Sequence, residues 1–267
     1  MFKRSFRTND RVEKTVKLKK TSRDVAKLAK LKSSFEQSPT LTSRIVTFTV
    51  GKEGRLFAAH EDVLALSPFF TTACRGQIRQ SQSMRIDLPD EEPEVFSCVL
   101  EYLYKGDYYP RLVHNKRRNS WELEDAEKSP NPENPGGRGS VEATTYISSV
   151  GQDLLRDTVI YCAAEKYGLE ELKRLSLRKQ GLQSGIEVAT ILHSARYAYD
   201  NTPDSDSRLR AHYLALIIRC RKTFKRSGTM QTEMESGGKL FFDLFVALCN
   251  HVDDIVDMGN ARSPMTI

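Results

Sequence analysis

The sequence predicts a fold that mixes α-helices with a few short β-strands, the strands lying in the first third of the chain. Residues Ile45 to Val50 form a β-branched run typical of a strand, and Gly51 to Gly54 supply a turn before a second run at Leu56 to Ala59. After Pro93 the apolar residues instead recur every three or four positions, as on one face of a helix. The 267 residues suffice for one core with extensions.

Further elements are predicted between the hairpin and residue 105. A short helix follows His60, and another begins at Ser67-Pro68, because serine caps free backbone N–H groups and proline suits the first helical position. Met84 to Leu88 has the pattern of a third strand. The run Asp90-Glu91-Glu92 places negative charge at the start of the helix that Pro93 opens, which complements the helix dipole.

Residues 109–150 differ in composition, with prolines and glycines set among charged residues, and we predict a disordered insertion there. Helical spacing resumes at Leu154 and Leu155 and ends at Gly168, which can adopt the left-handed conformation of a helix end. Another amphipathic helix follows from Leu169.

The last part of the chain, residues 181–257, predicts extra helices that pack against the core. Ser184 and Glu187 have the spacing of a capping box at the start of the first. Two more are predicted at about Ser207–Phe224 and Lys239–Val252, with a polar loop at Ser227–Gly238 between them. Residues 258–267 are predicted to form a flexible tail.

The net charge of +6 is concentrated in an amino-terminal arm. Residues 1–34 hold twelve Lys or Arg and three acidic residues, so this segment carries +9 and the rest of the chain −3. We predict a basic, disordered arm over residues 1–41, and three roles stay open for it. The three roles are a solvated tail, a nuclear-targeting or polyanion-binding segment, and a mitochondrial presequence. Asp10 and Glu13 count against the presequence, because presequences avoid acidic residues.

No catalytic, cofactor-binding or metal-binding residues are predicted. The five cysteines are widely spaced, which favours neither a disulfide framework nor a zinc ribbon, and the five histidines show no metal-ligand spacing. The Gly136-Gly137-Arg138-Gly139 run lacks the preceding strand and following helix of a phosphate-binding loop. A nucleophile elbow is also missing from the sequence. We therefore expect a protein that is not an enzyme, with His60 in a structural role.

Several segments resemble the BTB/POZ domain family. The run from Phe57 to Phe70 resembles the family's F-x-x-H-x-x-V-L-A-x-S-P-x-F signature, and Leu100 to Tyr108 is similar to its L-x-Y-x-Y-x-G segment. Tyr161 to Leu172 is similar to its closing helix pair. These blocks occur in the family's order over about 43–108 and 151–180, and the long polar insertion is similar to that of fungal members of unknown function.

The resemblance implies an α+β fold in which a helix cluster is capped by a small β-sheet, here with extra carboxy-terminal helices. It places the domain at 42–180, interrupted by the insertion. It also implies two sets of residues: structural signature residues and partner-binding residues. The first set is His60, Ser67, Pro68, Phe70, Tyr104, Gly106, Tyr167 and Gly168. The second set is Arg44, Ile78, Arg79, Gln80, Tyr104 and Tyr108.

Two residue differences bear on the partners. Arg44 stands where many members have an aspartate before the first strand, and Gln80 stands where cullin-binding members often carry a glutamate. The leading hypothesis is an intracellular adaptor, cytoplasmic or nuclear, that works by BTB-mediated homo- or hetero-oligomerisation, most simply as a homodimer. One alternative is a substrate receptor for a cullin-type ubiquitin ligase. Another is a chromatin-associated regulator that contacts nucleic acid only through residues 1–34. No cofactor and no membrane association are expected.

Overall fold

A three-stranded sheet forms the amino-terminal part of the fold. In the computed structural model, which describes residues 43–77, 84–117, 119–124, 143–183 and 185–261, strands β1 (Ile45–Val50) and β2 (Arg55–His60) make an antiparallel hairpin. Strand β3 (Arg85–Leu88) pairs with β1 in parallel, so the order is β2-β1-β3 and β1 is central. The predicted arm at 1–41 lies outside the described residues.

The inner face of this sheet is apolar and packs on helices. Val46, Phe48 and Val50 alternate along β1 and are fully buried, as a strand period of two requires. The ring centroid of Phe48 lies 5.6 Å from that of Phe70 and 5.1 Å from that of Phe96. Because Phe70 and Phe96 belong to two different helices, this aromatic cluster fixes the sheet to the helical layer.

Three helices follow the sheet strands as predicted: α1 (Glu61–Leu64), α2 (Pro68–Gln77) and α3 (Pro93–Lys105). Ser67 Oγ accepts a hydrogen bond from the Phe70 N–H at 3.3 Å, which caps α2. Helix α3 begins with Pro93 at its first position and ends at Gly106. Its buried face consists of Val95, Phe96, Val99, Leu100 and Leu103.

The prediction of disorder over 109–150 is wrong at both ends of that segment. Strands β4 (Leu112–Asn115) and β5 (Ser120–Leu123) form one hairpin, and β6 (Thr144–Ile147) and β7 (Gln152–Leu155) form another. Their few large side chains pair across the strands: the His114 and Trp121 rings lie 4.8 Å apart. Composition hid these short strands because charged residues surround them. Residues 125–142 lie outside the described residues.

Helix α4 (Arg156–Tyr167) is the central helix of the protein, and α5 (Glu170–Gln180) packs beside it. Leu154 and Leu155, predicted to open this helix, instead end β7. Nearly every side chain of α4 is buried, so its hydrophobic pattern is not one-sided. Its residues contribute to two separate hydrophobic clusters, one shared with the sheet and α1–α3 and one shared with the helices that follow.

Five helices complete the chain: α6 (Val188–Asn201), α7 (Arg208–Arg219), α8 (Arg221–Phe224), α9 (Gly228–Ser236) and α10 (Lys239–Ala261). Three boundary predictions are wrong. Helix α6 starts one residue after Glu187, which is its N-cap and not the third helical residue that the predicted capping box requires; Ser184 lies outside the described residues. The predicted polar loop contains α9, which Ser227 caps and the buried Met230 anchors. Helix α10 continues into the predicted tail, to Ala261.

One buried cluster joins the two sides of the insertion. It contains β-strand and helix residues from Val46 to Tyr108 together with residues from Ile147 to Leu172. Two further clusters hold the carboxy-terminal helices on α4 and on one another. The described residues from Ser43 onward therefore form a single compact unit.

Candidate protein-interaction surface

His60 and Tyr104 bind each other across the end of the sheet. The Tyr104 hydroxyl accepts a hydrogen bond from the His60 N–H at 2.9 Å, and the same oxygen lies 2.7 Å from His60 Nδ1. The contact ties the last residue of β2 to helix α3. The Tyr104 hydroxyl therefore pairs with both the backbone N–H and the ring Nδ1 of His60, as expected of a structural histidine. Tyr104 itself remains 40% exposed.

The remaining signature residues form a junction between α2 and α4. Ser67 Oγ donates a hydrogen bond to the Tyr167 carbonyl at 2.7 Å, and the Phe70 and Tyr167 rings lie 4.7 Å apart. Gly168 has φ +70°, and a Cβ there would lie 3.2–3.3 Å from the Pro68 ring. The junction thus accepts only glycine without strain, because the left-handed backbone conformation disfavours other residues and a Cβ would be in tight contact with Pro68.

Gly106, another signature residue, ends a helix in the left-handed conformation. It ends α3 in the left-handed conformation, with φ 72°, and its N–H donates to the Tyr102 carbonyl at 2.7 Å. The chain can then turn sharply from α3 into the segment that holds Tyr108.

Tyr108 is buried, which corrects its prediction as a partner-binding residue. Its hydroxyl donates to Asp157 Oδ1 at 2.7 Å, and its ring lies 3.6 Å from Lys179 Nζ. Burial raises the pKa of Asp157, although the Tyr108 hydrogen bond opposes that shift, and burial lowers the pKa of Lys179 against the opposing effect of Asp107. These residues form a satisfied polar network inside the fold, and no partner can reach Tyr108.

Lys179 completes that network from helix α5. Its Nζ donates to the carbonyls of Tyr108 and Pro110, at 2.5 and 2.8 Å, and lies 2.5 Å from Asp107 Oδ1. A buried ammonium is tolerated only when its donors are satisfied. No local sequence pattern indicates this role, since a lysine on an amphipathic helix ordinarily faces solvent.

The outer face of the three-stranded sheet is open to solvent. Side chains of alternate residues on β1 and β2 point away from the core, and we call this surface the sheet face. Its members are Ile45, Thr47, Thr49, Leu56 and Ala58. Ile45 is 61% exposed and Leu56 64% exposed, whereas their neighbours Val46 and Phe48 are fully buried.

The cross-strand register brings the sheet face to the His60–Tyr104 contact. Ile45 pairs with His60, and Thr49 pairs with Leu56. Sequence reasoning missed Ile45 and Leu56 as surface residues, although the period-two alternation of β1 assigns them to the face opposite Phe48. Arg44 lies beside this surface; its side chain is exposed and its carbonyl accepts a hydrogen bond from the Glu61 N–H at 2.9 Å. The triplet Ile78-Arg79-Gln80 lies outside the described residues.

Elsewhere on the molecule, a cleft of about 740 Å³ lies between the start of α3, the β6–β7 hairpin and helices α4 and α6. Its acidic groups bind neighbours across the cleft: Glu91 binds Lys166 at 2.5 Å, Glu92 accepts from the Ser148 N–H at 2.7 Å and Glu233 binds Arg196 at 2.6 Å. The acidic run before α3 was predicted to complement the helix dipole. Glu91 and Glu92 also connect the start of α3 to Lys166 and Ser148, and the effect on the helix dipole stays a prediction.

The cysteine thiols offer no activated nucleophile among the buried positions. Burial raises the pKa of Cys98 to about 11 and raises that of Cys162 further. All five cysteines are free. The described part of the chain contains no cluster of three His, Cys, Asp or Glu side chains able to hold a metal ion, and none of its helices is long and apolar enough to cross a membrane.

Residues 41–115 match the family model of the BTB/POZ domain. The matched segment contains the whole β1–β3 sheet, helices α1–α3 and the His60–Tyr104 contact. It stops before α4 and α5, although these helices share the same buried cluster.

Proposed function

Because this protein carries a BTB/POZ domain, a protein-interaction fold, we propose that it is an adaptor whose sheet face associates with a second copy of the chain or with a related domain. The observation that carries the proposal is the exposure of Ile45 and Leu56, at 61% and 64%, on the face of the sheet opposite the buried Val46 and Phe48. Burying large apolar side chains contributes roughly 1.5–3 kcal/mol each, and this gain is realised only when a partner covers them.

The edges of the sheet support the same role. Strands β2 and β3 are the outer strands in the order β2-β1-β3, so one side of each lacks a strand neighbour within this sheet. Edge strands present backbone N–H and C=O groups on which another chain can add a strand. Arg44 and Tyr104, both exposed, flank the sheet face and are proposed to contact the partner.

The test compares two matched substitutions in the full chain. Leu56→Asp introduces a charge on the sheet face, and Leu182→Asp makes the same change at an exposed leucine between α5 and α6. Size-exclusion chromatography with light scattering is expected to show a dimer for the parent and for Leu182→Asp. The dissociation constant of Leu56→Asp should rise by roughly tenfold or more, because an unpaired charge is costly to bury.

Two outcomes would count against the sheet face as an interface. One is a parent protein that stays monomeric across micromolar concentrations. The other is a Leu56→Asp protein that dimerises as tightly as the parent. Circular dichroism of each variant shows that the comparison is made on folded protein.

The same preparations test the two alternative functions. A cullin ligase receptor should retain a purified cullin amino-terminal region in a pull-down, and Gln80→Glu should strengthen that retention by restoring a charged acceptor. A nucleic-acid function of the basic arm should weaken steeply with salt and disappear when residues 1–34 are deleted. Absence of both effects leaves the adaptor role alone.

A further inference from the structure

Helix α10 exposes a continuous apolar stripe. Large side chains recur at alternating intervals of three and four residues along its outer side, and we call this set the α10 stripe. Its members are Phe242, Phe245, Cys249, Val252 and Val256. Phe242 is 68% exposed and Phe245 65% exposed. The 3-4 repeat is the spacing of a helix–helix seam, and exposed patches of this kind mark interaction sites.

The stripe is separate from the face by which α10 holds to the fold. Leu240 and Leu244 are buried against the other carboxy-terminal helices, and Leu248 packs beside them. At 3.6 residues per turn these positions lie on a different side of the helix from the stripe. From Val252 to Met258 every side chain is exposed, including residues on the packed side, so the last turns project beyond their neighbours.

We propose that the α10 stripe pairs with the α10 stripe of a second copy, in antiparallel orientation. A two-fold symmetric contact requires a surface that complements itself, and a 3-4 seam does so, because the side chains of one helix fit between those of the other. The two phenylalanines alone expose roughly 250 Å², given ~150–250 Å² per aromatic side chain. The three other stripe residues and the neighbouring Val246 raise the exposed apolar area further toward the ~800 Å² per copy that a standard interface buries.

The charges at the two ends of α10 determine the orientation. Asp253, Asp254 and Asp257 are exposed at the carboxy-terminal end, whereas the half-exposed Lys239 lies at the amino-terminal end. A parallel pair would bring both acidic ends together. The antiparallel pair separates them, which is the favourable arrangement for exposed like charges, whereas Lys239 already pairs with Asp204 of its own chain at 2.5 Å.

Cys249 provides a direct probe of this contact. It is the one cysteine of the five that is classed as exposed, and it lies at the midpoint of the α10 stripe, so overlapped stripes bring it close to the same residue of the second copy. We expect a short bismaleimide to give a Cys249–Cys249 cross-link between two full-length chains, identified by peptide mass spectrometry. Val252→Asp should lower its yield roughly tenfold, whereas Asn250→Asp, the same charge beside the stripe on this helix, should leave it unchanged.

A second probe reports the orientation. In a protein with Cys249→Ser and Asp257→Cys, antiparallel pairing keeps the two new cysteines roughly 24 Å apart along the helix axis, because each lies eight residues from the midpoint and each residue adds ~1.5 Å. No 257–257 cross-link is expected. Its appearance would overturn the antiparallel arrangement, and absence of the Cys249 cross-link at concentrations where the chain self-associates would overturn the pairing.

The controls separate this contact from the sheet face and from other occupants. Leu56→Asp should retain the Cys249 cross-link at high concentration, and Val252→Asp should retain a sheet-face dimer, so either surface can fail without the other. If Cys249 reacts with maleimide only after residues 1–42 are deleted, the basic arm of the same chain occupies the stripe. That result would refute pairing between copies.

Discussion

Replacing Tyr108 with phenylalanine tests whether this residue is structural. The substitution removes only the hydroxyl that donates to Asp157 Oδ1 at 2.7 Å, within a cluster that also contains Lys179. The ring, which is fully buried, keeps its packing. The change therefore isolates one hydrogen bond to a buried carboxyl group.

The expected loss follows from what remains around Asp157. Its other oxygen keeps a longer bond from Gln183 Nε2, at 3.3 Å, so the carboxyl group is left partly unsatisfied. Hydrogen bonds to charged groups are worth ~1.5–3 kcal/mol, and we expect the free energy of unfolding to fall by that amount. In a unit of this size Tm falls by ~2–4 °C for each kcal/mol of stability lost, so we expect Tm to decrease by roughly 3–12 °C.

The assay is urea unfolding followed by circular dichroism, with Tyr109→Phe as the control. Tyr109 is half-buried and its hydroxyl makes no hydrogen bond to other described residues, so this variant should unfold like the parent. A double-mutant cycle with Asp157→Asn isolates the pair and should give a coupling energy of ~0.5–3 kcal/mol. A Tyr108→Phe protein as stable as the parent, or one that folds normally but loses its partner, would refute the structural assignment.

Three further perturbations test other contacts. Gly168→Ala should cost ~1–3 kcal/mol because φ is +70° and the added Cβ would be in tight contact with the Pro68 ring, whereas Gly181→Ala, at φ −65°, should be nearly neutral. Equal thermal unfolding of the two variants would contradict this. Tyr104→Phe removes the acceptor for His60 and should cost ~0.5–1.5 kcal/mol in urea unfolding; no change would mean that the contact contributes nothing. Burial alone would raise the pKa of Asp206, but hydrogen bonds from Lys173 and Tyr161 lower it below its ordinary value. The stabilising effect of the Asp206 carboxylate is therefore complete above its unfolded pKa of ~3.9 and is lost as the pH falls through the lower folded value. Asp206→Asn should cost ~1.5–3 kcal/mol of stability at pH 7 and flatten the acid-unfolding curve below about pH 4. Unchanged acid unfolding would contradict the assignment.

Most of the amino-terminal fold was predictable because its signals are local. The β-branched run of β1, the proline at the start of α3 and the left-handed glycines Gly106 and Gly168 each specify an element without reference to distant residues. The α+β prediction is confirmed. Helix α9 was missed because its sequence has few apolar residues, and one buried methionine, Met230, anchors it.

The candidate surface was less predictable because exposure depends on tertiary contacts. Tyr104 and Tyr108 stand four residues apart in one motif, yet the first is exposed and the second fully buried. Burial of Tyr108 depends on Asp157 and Lys179, which lie 49 and 71 residues further along the chain. No local pattern reports such a contact. Ile45 and Leu56 were hidden for the opposite reason: an apolar side chain in a strand is ordinarily assigned to the core.

The junction between Ser67 and Tyr167 can form during synthesis only after both residues have been made. The hydroxyl–carbonyl contact joins residues 100 positions apart, and the aromatic rings beside it belong to the same core. At ribosomal rates of ~5–20 residues per second, the segment carrying Ser67 waits roughly 5–20 s for the helix that completes it. During that interval Phe69 and Phe70 lack the Tyr167 ring that packs on them in the finished fold, so apolar surface on α2 stays exposed to solvent until residue 167 is synthesised.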